Sequence, residues 1–180
     1  MTSAGFALFE SPIGDCAVVW GEHGLVGVYL PQADPQALRA RIRRRFEGAI
    51  EAPPPADIHR AIEAIGELLR GGDNDLRSVN LDMSRLPAFN QQVYAIARAI
   101  PPGRTRTYGE LAAELGDPLL ARAVGQALGA NPFPIVVPCH RVMAAGGKPG
   151  GFSAPGGLAT KLKLLEIERA PLGGTPGLFD

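Results

Sequence analysis

Cysteine is nearly missing from this chain. There are two in 180 residues, Cys16 and Cys139, too few and too far apart for a disulfide framework, so a reducing cytoplasmic compartment is expected. Histidine is as scarce: His23, His59 and His140. Zinc needs about four ligands at close spacing, and these side chains are scattered, so no metal and no cofactor are expected. Net charge is also lacking, with 18 Lys and Arg against 18 Asp and Glu, which argues against a protein that coats nucleic acid non-specifically. The charge is unevenly placed, however. Residues 1–80 carry 8 basic against 11 acidic groups, and residues 81–180 carry 10 against 7. No apolar run approaches the ~20 residues of a membrane span, and residues 1–10 have no basic start, so neither a span nor a signal peptide is expected. What remains is the composition of a soluble globular protein, long enough to bury a core without staples.

One stretch stands out against this background: Pro134-Ile-Val-Val-Pro-Cys-His-Arg-Val142. A free cysteine usually behaves as a small apolar core residue. Here Pro138 fixes the direction of entry into Cys139, the β-branched run Ile135–Val137 reads as a short buried strand, and Gly146, Gly147, Gly150 and Gly151 announce an irregular loop. A thiol at the end of a strand, facing a loop, is a normal place for a reactive group. Adjacent strand residues point to opposite faces. His140 can therefore serve Cys139 only if the backbone turns there or a water bridges them.

The rest of the chain reads as two parts. Phe6–Phe9, Cys16–Trp20 and Leu25–Leu30, separated by turn residues, predict a three-stranded antiparallel meander with Cys16 in its core and His23 solvated. Pro35–Phe46 predicts a surface helix whose arginines go round it. Gly48–Ala56 predicts a loop, Ile58–Arg70 a helix capped by Asp57, and Asp75–Leu81 a further strand. A boundary falls near residues 82 and 83. Beyond it, Pro87 starts a helix with Phe89, Val93, Ile96 and Ile100 on one face. Thr107 and Glu110 form a capping box for Tyr108–Leu115, and Pro118–Gly129 is the next helix. Two short helices around a glycine-containing turn suggest a helix-turn-helix. Leu158–Arg169 is the last helix, and residues 171–180 form a loose tail.

In order and at close to its spacing, the segment from Tyr94 to Glu168 resembles the catalytic domain of the O6-alkylguanine-DNA alkyltransferases (methylated-DNA–protein-cysteine methyltransferases). The pieces are Pro101-Pro102-Gly103-Arg104-Thr105, Thr107-Tyr108-Gly109, Ala121-Arg122-Ala123-Val124-Gly125, Asn131-Pro132, Pro134 to Val142, and Gly156-Gly157-Leu158 with Lys161, Leu164, Leu165 and Glu168. Residues 1–80 resemble that family's N-terminal domain less distinctively. The resemblance implies an α+β fold: an N-terminal antiparallel β-sheet with helices (ribonuclease-H-like), residues 1–82, and a mainly helical helix-turn-helix catalytic domain, residues 83–170. It implies irreversible, single-turnover transfer of an alkyl group from O6 of guanine, or O4 of thymine, to Cys139. The base is flipped out of double-stranded DNA, read from the minor groove by a monomer with no membrane partner. His140 would be the base, acting through a water, and Glu168 its orienting carboxylate, with Glu166 the rival two residues away. Asn131 would be the hinge asparagine and Arg122 the finger that fills the gap in the base stack. Tyr108, Val142, Ser153 and Arg141 would contact DNA or the flipped base. Ala154-Pro155 departs from the family's pattern, and Pro155 removes an N–H from the loop that holds Ser153.

Other classes stay open at this stage: a lesion-binding sensor without transfer, a helix-turn-helix regulator, and a cysteine hydrolase. Methyl incorporation, operator-specific binding and repeated turnover on an ester separate them.

Overall fold

The computed structural model describes residues 4–150 and 156–170. The expectations for Ser153, the Ala154-Pro155 departure and the 171–180 tail fall outside those residues. The chain divides into two compact units, 1–85 and 86–180.

In the first unit, β1 (Gly5–Ser11), β2 (Gly14–Gly21) and β3 (Gly24–Tyr29) form the expected antiparallel meander. The β1–β2 turn is pinned by Ser11, whose hydroxyl donates to Gly14 O at 2.7 Å and accepts from Ile13 N at 3.2 Å. A fourth strand, β4 (Ile50–Glu51), pairs in parallel with β1, giving the order β3-β2-β1-β4. It lies inside the expected loop 48–56 and is too short to show a period of two. Helix α1 (Pro35–Arg45) is capped by Asp34, which accepts from Ala37 N at 2.8 Å. Its Leu38 and Ile42 close a core with Phe6, Ala17, Val19 and Ala49.

Two expectations in this unit need correction. Helix α2 spans Ala56–Leu69, and Pro55 rather than Asp57 precedes it. The extended Pro53–Pro55 run hands the chain straight into the helix, and Pro55 O accepts from His59 N at 2.8 Å. Asp57 instead puts its charge in the first turn, where the helix dipole favours it. Residues 75–81 are not a strand. Asn74 and Asp75 side chains accept from Leu76 N and Arg77 N, at 2.9 and 3.0 Å, and Leu76 takes φ 59°. Such local turns outcompete a ladder. Only Leu81 bridges to the sheet, at Leu25.

The second unit begins with α3 (Ala88–Arg98), which buries Val93, Tyr94 and Ala97, with Ile100 buried just beyond it. The buried face is rotated from the expected one, leaving Phe89 and Ile96 half-buried. The reason is Tyr94, whose hydroxyl donates to Ala127 O at 2.6 Å and so turns inward. A short parallel pair, β5 (Arg106–Thr107) with β6 (Val142–Met143), links the segment before α4 to the cysteine segment. Helix α4 (Tyr108–Glu114) has the expected capping box, with Glu110 N to Thr107 Oγ1 at 3.0 Å and Thr107 N to Glu110 Oε1 at 2.9 Å. Gly116, at φ 105°, carries the chain out of it, a conformation that suits glycine. The next helix is not continuous from Pro118. Pro118–Leu120 is a 3-10 turn, capped by Asp117, and α5 runs Ala121–Gly129. Helices α4 and α5 form the helix-turn-helix arrangement. Helix α6 spans Gly157–Ile167. No helix among the described residues is long and apolar enough to cross a membrane.

Candidate active site

The expected strand before Cys139 is a turn. Prolines at 134 and 138 withhold two amide donors, and Asn131 supplies local partners instead. Its Oδ1 accepts from Phe133 N at 2.8 Å and its Nδ2 donates to Val137 O at 2.9 Å. Val137 N also donates to Phe133 O at 2.8 Å. Ile135, buried, is driven to φ 76°, a strained conformation for a β-branched side chain. The chain then enters a 3-10 turn, Cys139–Arg141, closed by Arg141 N to Pro138 O at 2.9 Å. The backbone therefore turns at the cysteine, and three consecutive side chains leave the turn in different directions.

Cys139 keeps part of its surface accessible. His140 is fully buried, and its Nε2 lies 2.7 Å from Glu168 Oε1. Its Nδ1 is buried and has no hydrogen-bond partner among the described residues. Arg141 grips the same carboxylate with both arms, Nη2 to Oε1 at 2.7 Å and Nε to Oε2 at 2.9 Å. Its Nη1 donates to Ile100 O at 2.7 Å. Arg141 is 1% exposed, so it cannot reach DNA. This corrects the expectation for Arg141: a guanidinium needs a bidentate anion once it leaves water, and Glu168 is that anion. Glu166, the rival, is exposed, while the Glu168 side chain is 2% exposed.

The electrostatics set the protonation states. Burial raises Glu168, but hydrogen bonds from His140 and Arg141 and the neighbouring positive charge outweigh it and hold the carboxyl at about 2. Burial pushes His140 down, helped by the charges of Arg141 and Lys161 and opposed by Glu168. The ring is therefore neutral at rest. Nε2–H donates to Glu168, and Nδ1 is left as the lone pair, a base with nothing to accept from among the described residues. Burial likewise pushes the Cys139 thiol up. The Asn131 side chain, the Lys161 charge and the amides of Cys139 and His140 all act in the other direction, toward thiolate.

Lys161 was not predicted as a site residue. It is fully buried, its Nζ donates to Val142 O at 2.7 Å, and it lies 5.9 Å from the centroid of the Tyr108 ring. Burial lowers it to about 8, against the pull of the Cys139 charge. The sequence did hold a signal. Lys161, Leu164, Leu165 and Glu168 follow the 3-4 spacing of one helical face, and two charges on a core-facing stripe are a functional flag. Tyr108 is half-buried beside Gly125 and Gly150. Burial, then the charge of Cys139, raises its hydroxyl, so it stays a donor. Val142 is buried, with its carbonyl held by Lys161. Arg122 is exposed on the first turn of α5, with no predicted partner side chain beside it in this cluster. The structure brings Asn131, Lys161 and Tyr108 within electrostatic reach of the Cys139 thiol, pairs the adjacent His140 with Glu168, and leaves Arg122 exposed on α5. Among the described residues no group of three His, Cys, Asp or Glu is placed to hold a metal.

A partly buried free cysteine next in sequence to a buried imidazole–carboxylate–guanidinium cluster, on a unit containing a helix-turn-helix, defines a cysteine-centred DNA-handling class. The profile described as "6-O-methylguanine DNA methyltransferase, DNA binding domain" matches residues 88–170. The methylated-DNA–protein-cysteine methyltransferase of Methanothermobacter thermautotrophicus is 32% identical over 163 residues, covering 91% of this chain and 84% of that protein. The one from Mycobacterium bovis is 41% identical over 128 residues, covering 71% and 75%. The crystal structure of Mycobacterium tuberculosis OGT in complex with DNA superposes with a TM-score of 0.74 at 34% identity, covering 93% of this chain and 95% of that one. The chain belongs to the methylated-DNA–protein-cysteine methyltransferase family.

Proposed function

We propose that this protein repairs alkylated DNA by direct reversal, moving an alkyl group from O6 of guanine to Cys139 Sγ in a single irreversible turnover. The observation that carries the assignment to this cysteine is the pairing of a partly buried, unpaired cysteine with the neighbouring buried imidazole, whose Nδ1 is unpartnered among the described residues.

The chemistry follows from the charges. The target oxygen lies on the pairing edge of the base, so the nucleotide leaves the stack before reaction. The thiol proton passes through a water to His140 Nδ1, and Glu168 stabilises the imidazolium as it forms. Sγ then attacks the alkyl carbon, the carbon–O6 bond breaks, and its electron pair stays with guanine, which takes up a proton. Nothing is oxidised or reduced, and no co-reactant is needed. Asn131, Lys161 and the first amides of the 3-10 turn lower the energy of the thiolate. Tyr108 and the Val142 main chain border the base, and Arg122 fills the gap that the base leaves. The thioether product has no leaving group for water to displace, so the thiol is not regenerated.

The partner is double-stranded DNA, met by a monomer, and two unpaired cysteines are compatible with a reducing cytoplasm. The test is the intact mass of the protein after mixing with a duplex that holds one O6-methylguanine, with Cys139→Ser in parallel. The expected gain is one methylene per chain, on wild type only. Tight lesion binding with no gain would instead make the protein a sensor.

A further inference from the structure

Among the described residues three large apolar side chains stand exposed: Leu158 at 45%, Ile50 at 63% and Leu119 at 89%. Leu119 is the extreme case, and its position is not arbitrary. It sits in the turn of the helix-turn-helix, two residues before α5. Single exposed leucines are ordinary, and loose segments commonly carry them. Leu119 is not on one. Asp117 Oδ1 accepts its amide at 2.9 Å, Leu120 N donates to Asp117 O at 3.0 Å, and Pro118 fixes the preceding backbone. The backbone is thus rigid while the side chain is left to water.

Its neighbour three residues on is Arg122, also exposed. Residues at this spacing share one edge of a helical turn, and the N-terminal end of the second helix is the part of such a motif that meets bases. Between them Leu120 is half-buried and Ala121 is small, and Ala123 and Gly125 follow, so Leu119 and Arg122 are the exposed large side chains of this stretch.

We propose that Leu119 is a DNA-contact residue: an apolar wedge that meets the sugar and base edges in the minor groove beside the nucleotide displaced by Arg122. This rests on the repair reading above. Proteins of the minor groove use leucine in this way to prop open a base step. A backbone already held in place loses little further freedom when its side chain docks. The contact carries no charge, and this separates it from a phosphate contact.

The experiment compares wild type with Leu119→Ser and Leu119→Met, reading two quantities. One is affinity for a methylated duplex across a salt series. The other is the second-order rate of methyl transfer from that duplex and from the free O6-methylguanine base. Leu119→Ser is expected to weaken duplex affinity and duplex transfer about tenfold, as loss of one leucine's dry contact predicts. The slope of log affinity against log salt and the free-base rate stay unchanged, and Leu119→Met stays within about twofold of wild type. A duplex affinity for Leu119→Ser within about twofold of wild type overturns the proposal. So does a changed salt slope, or an equal loss on the free base. Wild type that binds the duplex but transfers nothing overturns the repair reading, and the affinity series then still decides the role of Leu119.

Discussion

His140 and Glu168 meet at 2.7 Å through Nε2, which leaves the imidazole's other nitrogen as its working end. The relationship predicts a specific loss. Glu168→Gln keeps the shape but removes the negative charge that favours the imidazolium. Single-turnover transfer is expected to fall by about 100-fold, within the range set by general-base catalysis. Rapid-quench transfer from a methylated duplex measures it, and a loss under threefold would remove Glu168 from the mechanism.

Arg141 predicts a different outcome from the same cluster. Arg141→Met leaves Glu168 and His140 buried without the bidentate partner, and stranding one half of a buried ion pair destabilises by about 3–5 kcal/mol. Chemical denaturation should show that loss. Affinity for duplex DNA in the folded fraction is expected to be unchanged, which distinguishes a supporting arginine from a DNA-binding one.

Lys161 is expected to act on reactivity rather than on the fold. Lys161→Met removes a positive charge that favours the thiolate, so the acid limb of the transfer pH–rate profile should move to higher pH and the rate at neutral pH should drop. Stability is expected to change by no more than about 1–3 kcal/mol, because relief of the buried ammonium's desolvation opposes the loss of the donor to Val142 O. An unshifted profile would show that the lysine only holds the Val142 carbonyl.

Stability should fall on the acid side for two separable reasons. His140 is held below its ordinary 6.5. Its contribution is therefore complete above pH 6.5 and declines below it, as the unfolded chain takes up a proton the buried ring resists. Glu168 is lowered from 4.5 to about 2, so its contribution is complete above pH 4.5 and is lost as the pH falls toward 2. Urea midpoints between pH 7 and 3 should show both declines, and His140→Gln should flatten the upper one.

Much of this was legible in the sequence because it rests on local chemistry. The capping box at Thr107 and Glu110, the meander punctuated by Ser11–Gly14, and Cys139 beside His140 each fall within a few residues of each other. The failures have two causes: a nearby side chain that overrides composition, and a deciding partner far along the chain. The run Ile135–Val137 has strand composition, and the Asn131 side chain makes it a turn. Arg141 was expected at the DNA or the flipped base from the family resemblance, and Glu168, 27 residues on, takes it inside. Strands β4 and β5, two residues each, exist only through their pairing.

The 3-10 turn at Cys139–Arg141 has a consequence for heredity and for engineering. Three adjacent codons specify the proposed nucleophile, the proposed base and a structural anchor, carried on one turn with a 2.9 Å closure onto Pro138. Adding or deleting one residue between Pro138 and Val142 would rotate all three at once and leave none in place. The segment can therefore be transplanted between scaffolds only as a cassette, together with an asparagine to coil its approach and a carboxylate to receive its last two side chains.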